Sequence, residues 1–244
     1  MNIDRALQKK TIQKYGLDQR TTGRDIIRGV ILAHPMVSNK TSWESAIHTV
    51  SNGNISLQSA RLIAEIHMGG IPMYMWNKNE DWLIKLCEAI KIEKSLDWRV
   101  EEVYNKYQCT NAGRVTRLIY QSSMVIREVA RKFGITEQDV KDYRAAFLYA
   151  LKRSGDCDYI IGGVHRKHSE VLLIENSELS GSVLMRLAGM NIAFISEIKE
   201  MFKGVSQYDD AFSIIRSHRK YSPDSINDIL VQLNKAGHIH LKDI

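Results

Sequence analysis

One stretch of the chain, Ile126–Arg153, constrains the fold more than any other. It reads IREVARKFGITEQDVKDYRAAFLYALKR, which predicts a helix, a tight turn and a second helix. A small residue at Ala130 lets two helices cross closely, Gly134 suits a left-handed turn, and an apolar Val140 fixes the crossing angle. Thr136 is a suitable N-cap for the second helix. The segment therefore predicts two helices that meet at a sharp corner.

This segment resembles the helix-turn-helix of DNA-binding proteins in general, over about twenty residues. The resemblance implies that the second helix enters the major groove of double-stranded DNA. The side chains that would face the groove are Thr136, Gln138, Lys141 and Arg144. Basic residues of the first helix would add affinity for phosphate, and these are Arg127, Arg131 and Lys132.

The same pattern also fits an ordinary corner between two helices, which uses the same small residue and glycine. The second helix carries three acidic residues, Glu137, Asp139 and Asp142, against Lys141 and Arg144. Acidic groups that face phosphate weaken binding, although Glu and Asp accept a hydrogen bond from cytosine. Winged-helix folds with acidic second helices serve as docking modules, so a protein-interaction adaptor is the main alternative function.

The residues after this corner change to a β-type pattern. Tyr159–Val164 and Glu170–Ile174 predict two strands, joined by a basic tip that contains Arg166 and Lys167. We expect a β-hairpin whose tip reaches a phosphate or the minor groove. A helix over residues 108–124, the corner and the hairpin stand in the order of a winged helix. An exposed turn with solvated charges is the alternative.

A second resemblance covers residues 38–76, which are similar to the later part of a Cro or phage-repressor domain. The groove-facing start of its reading helix would include Lys40, Thr41 and Ser42. An Asn52-Gly53 turn and a helix over Ser56–His67 would follow. The alternative is a compact helical domain whose loop contains Asn-Gly.

The C-terminal region predicts helices over 177–203 and one sharply bounded helix after them. Ser222 is an N-cap, Pro223 suits the first helical position, and Gly237 stands just past the end. The apolar face of this helix consists of Ile226, Ile229, Leu230 and Leu233. A strand over His238–Leu241 would then resemble the start of a wing. Phosphate contacts are expected just before the helix, at Arg216, Arg219 and Lys220.

Composition narrows the class of protein. The chain has 244 residues, a net charge of +6 and 44% hydrophobic residues, which suits one large or a few small domains. A moderate basic bias suits nucleic acid or another acidic surface. Three isolated cysteines indicate a reducing compartment without disulfides. Because no membrane span or signal-peptide core is expected, we predict a cytoplasmic protein.

Few motifs of enzyme chemistry occur. No phosphate-binding glycine loop is present. The close histidine pairs, His165 with His168 and His238 with His240, lack cysteine partners, so neither a metal nor another cofactor is expected. Glu197-Ile198-Lys199 has the Glu-x-Lys form that metal-dependent nucleases use. A nucleic-acid-cleaving enzyme is therefore the second alternative.

Together these features predict a mainly α protein with a small β-hairpin and a central winged helix-turn-helix. The expected domains are a helical, repressor-like domain over 1–95, a winged helix-turn-helix over 96–176 and a winged-helix-like domain over 177–244. The expected function is DNA binding by a transcriptional regulator or a replication or mobile-element factor. Double-stranded DNA is the expected partner, with a second protein or a second copy of the chain as a further partner and no membrane.

Overall fold

The computed structural model describes residues 48, 55–68, 96–164, 170–176 and 178–242. These residues are mainly helical, as predicted. The first five helices of the described residues are α1 (Leu57–Met68), α2 (Asp97–Lys106), α3 (Asn111–Tyr120), α4 (Ile126–Phe133) and α5 (Glu137–Ser154). The next five are α6 (Asp156–Ile160), α7 (Gly181–Gly189), α8 (Ile195–Met201), α9 (Tyr208–His218) and α10 (Pro223–Lys235), with a 3-10 helix at Leu173–Glu175.

The helices belong to two compact units. In its described part, unit 1 contains residues 48, 55–68, 96–105 and 155–164, and unit 2 contains 106–154, 170–176 and 178–242. The three predicted domains, 1–95, 96–176 and 177–244, remain a prediction.

Unit 1 is held together by polar contacts around the start of α2. The carboxylate of Asp97 accepts hydrogen bonds from the backbone N–H of Ser56 at 3.0 Å and from its hydroxyl at 3.1 Å, which links α1 to α2. The Arg99 guanidinium donates to the carbonyls of Tyr159 at 2.8 Å and Gly163 at 3.1 Å. The same guanidinium lies over the Tyr159 ring, 4.8 Å from its centroid. These contacts join α2 to α6.

The core of unit 2 begins with α3, α4 and α5, which pack against one another. Thr110 caps α3, because its hydroxyl oxygen accepts the N–H of Gly113 at 2.9 Å. Tyr107 and Phe147 meet edge to face with ring centroids 5.5 Å apart. The predicted helix over 108–124 is thus confirmed as α3, the first of three packed helices.

The predicted corner between α4 and α5 has the expected geometry. Gly134 has φ of 66° and ψ of 31°, the left-handed conformation. The N–H of Ile135 donates back to the carbonyl of Ala130 at 3.1 Å, as in a Schellman motif. Thr136 caps α5 by accepting the N–H of Asp139 at 3.1 Å. Val140 is fully buried, which confirms its predicted role at the crossing of the helices.

A second corner of the same kind joins α7 to α8. Asn191 has φ of 64°, and the N–H of Ile192 donates to the carbonyl of Leu187 at 3.0 Å. The Glu197 carboxylate accepts the N–H groups of Ala193 at 2.7 Å and Phe194 at 3.0 Å, and so caps the start of α8. The described residues of unit 2 therefore include two helix corners with the same hydrogen-bonding pattern.

Helix α7 packs closely on α5. A Cβ built on Gly181 would lie 2.9 Å from the carbonyl oxygen of Asp139 and 3.0 Å from the backbone nitrogen of Tyr143. The Tyr143 hydroxyl donates to the carbonyl of Leu179 at 3.3 Å, just before α7. Burial raises the pKa of this phenol. Only a residue without a side chain fits at position 181, because the backbones of the two helices touch there.

The predicted strand over Tyr159–Val164 is wrong. Its first two residues belong to α6, and a turn follows at 161–162. Tyr159, Ile160 and Ile161 are all buried, whereas alternate residues of a half-buried strand would be exposed. A short apolar run cannot by its pattern be distinguished from a short buried helix. The basic tip, with Arg166 and Lys167, lies outside the described residues, so the hairpin is not confirmed.

The second predicted strand, Glu170–Ile174, is also corrected. A 3-10 helix occupies Leu173–Glu175, and Leu172 makes an isolated antiparallel bridge with Phe194. The N–H of Leu173 donates to the carbonyl of Ala193 at 2.8 Å. The pairing partner lies beyond α7 in the sequence, so a local pattern does not reveal it.

The C-terminal helix α10 matches the sequence prediction. The Ser222 hydroxyl oxygen accepts the N–H of Ser225, and Pro223 is the first helical residue. Gly237 follows the helix with φ of 72°. The predicted apolar face is fully buried, at Ile226, Ile229, Leu230 and Leu233. The predicted strand over His238–Leu241 is wrong, because residues 238–241 make no β pairing and only Lys242 forms a parallel bridge, with Gln207.

Candidate nucleic-acid interface

Positive charge is concentrated in one part of unit 2. Residues 106–154, which contain α3, α4 and α5, have ten basic and four acidic residues and thus a net charge of +6. Residues 170–242 have eight basic and nine acidic residues, a net charge of −1. A polyanion would therefore be attracted to the helices around the first corner rather than to those around the second.

The predicted phosphate-binding residues of α4 are exposed. Arg127 and Arg131 stand one helical turn apart, so their side chains leave the same face of the helix. Lys132 is exposed beside them. The guanidinium of Arg114 lies over the ring of Phe133, 5.0 Å from its centroid, which adds a fourth cation at the end of α4.

The open face of α5 contains two of its four predicted groove residues. Gln138 and Lys141 are exposed. Thr136 is exposed too, but its hydroxyl donates to the Asp139 carboxylate at 2.7 Å, so it serves first as the cap of α5. Arg144 is half-buried, and its Nε makes no hydrogen bond within the described residues. Its guanidinium therefore lies at the margin of the core.

Two of the three acidic residues of α5 are engaged by neighbouring groups. Asp139 accepts hydrogen bonds from the backbone N–H and the hydroxyl of Thr136. Asp142 accepts one from the side-chain amide of Gln138 at 2.8 Å. Glu137 is exposed at the start of the helix. Both carboxylates therefore have hydrogen-bond partners within α5 and the residue that caps it, although their negative charges remain.

Of the basic residues predicted before α10, Arg219 has a structural contact. Its guanidinium donates to the carbonyl of Gly189 at 2.6 Å and lies 5.9 Å from the Tyr221 ring centroid. Arg216 and Lys220 are exposed. The structure thus leaves the last two accessible to a phosphate. The predicted contacts Lys40, Thr41, Ser42, Arg166 and Lys167 lie outside the described residues.

Two basic residues near the corner were not singled out from the sequence. Arg114 belongs to α3, and only the packing of α3 on α4 brings it to Phe133. Lys152 is exposed on α5. It follows Lys141 by three helical turns, so the two extend along one face. That spacing is visible in the sequence and could have identified Lys152 once α5 was known to continue to residue 154.

The Glu-x-Lys motif does not have a free acidic group. Glu197 accepts the N–H groups of Ala193 and Phe194 and pairs with the Arg153 guanidinium. Although its partial burial favours the neutral acid, these hydrogen bonds and the positive charge of Arg153 lower the pKa of Glu197. Within the described ranges, no group of three or more His, Cys, Asp or Glu could hold a metal ion.

No helix in the described part of the chain is long and apolar enough to cross a membrane. The chain matches no protein-family model, no curated protein and no solved structure.

Proposed function

We propose that the protein binds double-stranded DNA through α4 and α5, as a transcriptional regulator or a replication or mobile-element factor. The observation that carries the proposal is the concentration of charge. The net charge of +6 in residues 106–154 surrounds a tight corner between two helices, and three basic side chains of α4 are exposed beside it. Such a surface has the charge that a phosphate backbone attracts.

In this mechanism the two helices have different roles. Arg127, Arg131 and Lys132 contact phosphates and fix the position of the protein on the duplex. The outer face of α5, with Gln138 and Lys141, enters the major groove. Most of the affinity comes from phosphate contacts, because α5 itself carries little net positive charge. Binding should consequently weaken steeply as salt concentration rises.

The test is duplex binding by the full chain at about 50 mM and about 200 mM salt, measured by fluorescence anisotropy. The variant Arg131→Gln/Lys132→Gln removes two charges from α4. Loss of two phosphate contacts should reduce the slope of log affinity against log salt by about 1.8.

Lys199→Gln/Lys235→Gln is the matched control, since it removes the same charge from exposed positions of α8 and α10. An equal loss of affinity in both double variants would mean that only total charge matters and would contradict the proposed surface. Absence of duplex binding at the lower salt concentration would overturn the proposal and favour the protein-interaction adaptor.

A further inference from the structure

Gln138 and Asp142 form a hydrogen-bonded pair on α5, the helix proposed to enter the groove. The side-chain nitrogen Nε2 of Gln138 donates to Oδ1 of Asp142 at 2.8 Å. The two residues stand one helical turn apart, a spacing that brings side chains together. Because an ionised carboxylate only accepts hydrogen bonds, the nitrogen of the amide must face Asp142 and its oxygen must point elsewhere. The pair therefore defines the orientation of the amide group.

The other edge of the Gln138 amide is open. Its oxygen Oε1 and its second N–H have no hydrogen-bond partner among the described residues, and the side chain is exposed. Gln232 of α10 makes a useful contrast. Its Nε2 donates to Asp228 at 2.7 Å, and its Oε1 accepts the backbone N–H of Ser180 at 2.8 Å. Gln232 thus uses both ends of its amide within unit 2, whereas Gln138 keeps one donor and one acceptor side by side.

Asp142 is held more firmly than Gln138. It is half-buried where α7 crosses α5, and a Cβ built on Gly181 would lie 3.2 Å from the Cβ of Asp142. Packing restricts the rotamers of a side chain, so the carboxylate has less freedom than a fully exposed one. Asp142 can then restrict the amide that it binds.

An adenine in the major groove presents an acceptor at N7 and a donor at N6, which match the donor and acceptor of an amide edge. Guanine presents two acceptors there and cannot satisfy the amide oxygen. We infer that Gln138 reads an adenine in the major groove and that Asp142 is the positioning residue that orients its amide. This inference rests on the proposed DNA binding by α4 and α5.

The test begins with selection of bound sequences by the full chain from a pool of random duplexes. An adenine should recur at one position. Replacing that adenine by an analogue with C–H in place of N7 should weaken binding by about fivefold to one hundredfold. Gln138→Ala should bind the original and the modified duplex equally. Gln108→Ala, which removes another exposed glutamine of unit 2, should keep the preference.

Variants of Asp142 separate positioning from a merely structural effect. Asp142→Ala should reduce the preference for adenine, measured as the ratio of affinities for the selected and the modified duplex. This ratio cancels the change in overall affinity that follows the loss of a negative charge. Asp142→Asn removes the same charge and should keep only part of the preference, because its amide can accept from Gln138 but can also donate to it and so no longer fixes its orientation.

A selected site without a recurrent adenine, or a preference that survives Gln138→Ala, would overturn the inference and leave the proposed DNA binding intact. Equal preference in Asp142→Ala and the unmodified protein would remove Asp142 from the mechanism. If no duplex is bound at about 50 mM salt, the proposed function itself has failed.

Discussion

The two corners of unit 2, α4–α5 and α7–α8, have similar backbones and different surfaces. Each first helix is followed by a left-handed residue, Gly134 or Asn191. Near the start of each second helix, a carboxylate accepts backbone N–H groups, one at Asp139 and two at Glu197. The helix α4 exposes three basic residues. The single basic residue of α7, Arg186, pairs with Asp228 of α10 at 2.6 Å.

The residues of the turn thus specify the corner between two helices, but they do not specify its function. A glycine or asparagine that tolerates a positive φ, followed by a capping residue, suffices to join two helices sharply. What distinguishes the first corner is the net charge of residues 106–154 and the open face of α5. Both properties depend on which surfaces the other helices cover.

The largest effect on stability is expected where α7 meets the first corner. Gly181→Ala should lower the free energy of unfolding by about 1–3 kcal/mol, because the new methyl group would press on the backbone of α5. Gly189→Ala in the same helix is the control, since the atoms nearest its new Cβ belong to the side chains of Arg219 and Tyr221. Urea denaturation measures both. Equal losses would mean that backbone contact at residue 181 is not what limits the packing of α7.

A smaller change in the free energy of unfolding is expected at Gly134 and Asn191, the two residues with left-handed backbone conformation at the corners. Gly134→Ala should cost about 1–2 kcal/mol, because a Cβ is unfavourable at positive φ. Asn191→Gly should change the free energy of unfolding by less than about 0.5 kcal/mol, since asparagine already tolerates this conformation. Thermal or urea unfolding of the two variants and the unmodified protein measures both changes in the free energy of unfolding. A large loss in Asn191→Gly would show that the second corner depends on the asparagine side chain and that the corners differ in kind.

An effect smaller than that of Gly134→Ala is expected at the cap of the second corner, and it should depend on pH. Glu197→Gln should cost about 1 kcal/mol at neutral pH, as loss of a capping interaction does. The pKa of Glu197 is lowered in the folded protein from its ordinary value of 4.5. Its stabilising effect is therefore complete above about pH 4.5 and disappears as pH falls through the lowered folded pKa.

The measurement is urea denaturation of the unmodified protein and Glu197→Gln at several pH values. The two curves should approach one another in acid. Asp139→Asn at the first corner provides a comparison in which the capping carboxylate has no arginine partner among the described residues. A difference between unmodified protein and Glu197→Gln that persists unchanged below the folded pKa would contradict the role of the charged carboxylate.

Local chemistry in the sequence predicted the ends of helices well. Gly134, Thr136, Ser222 and Gly237 each act as their residue type suggests, because capping depends on neighbours within a few positions. The β predictions failed because the runs around Tyr159 and Leu172 are short and apolar. A local pattern does not distinguish a strand from a short helix that is buried by packing. It also does not reveal pairing with a segment as distant as Phe194.

The candidate site was predictable in position and less so in detail. The exposure of the basic residues of α4 could be predicted from their spacing on a helix. The engagement of Arg219 by Gly189, the partial burial of Arg144 and the location of Arg114 beside Phe133 all depend on tertiary packing. The intramolecular partners of Asp139 and Asp142 lie three and four residues away, so the sequence contained that information, although acidic charge alone pointed to repulsion.

The crossing of α7 over α5 also bears on the order in which unit 2 folds. Contacts between α4 and α5 close a short loop. The ring contact of Tyr107 with Phe147 joins residues 40 apart, and the bond from Tyr143 to Leu179 joins residues 36 apart. Ends separated by a longer loop meet at a higher entropic cost. We therefore expect the corner of α4 and α5 to form first, with the side of α5 at Tyr143 exposed until α7 packs on it. During synthesis, the two helices proposed to bind DNA would exist before the helix that restricts Asp142.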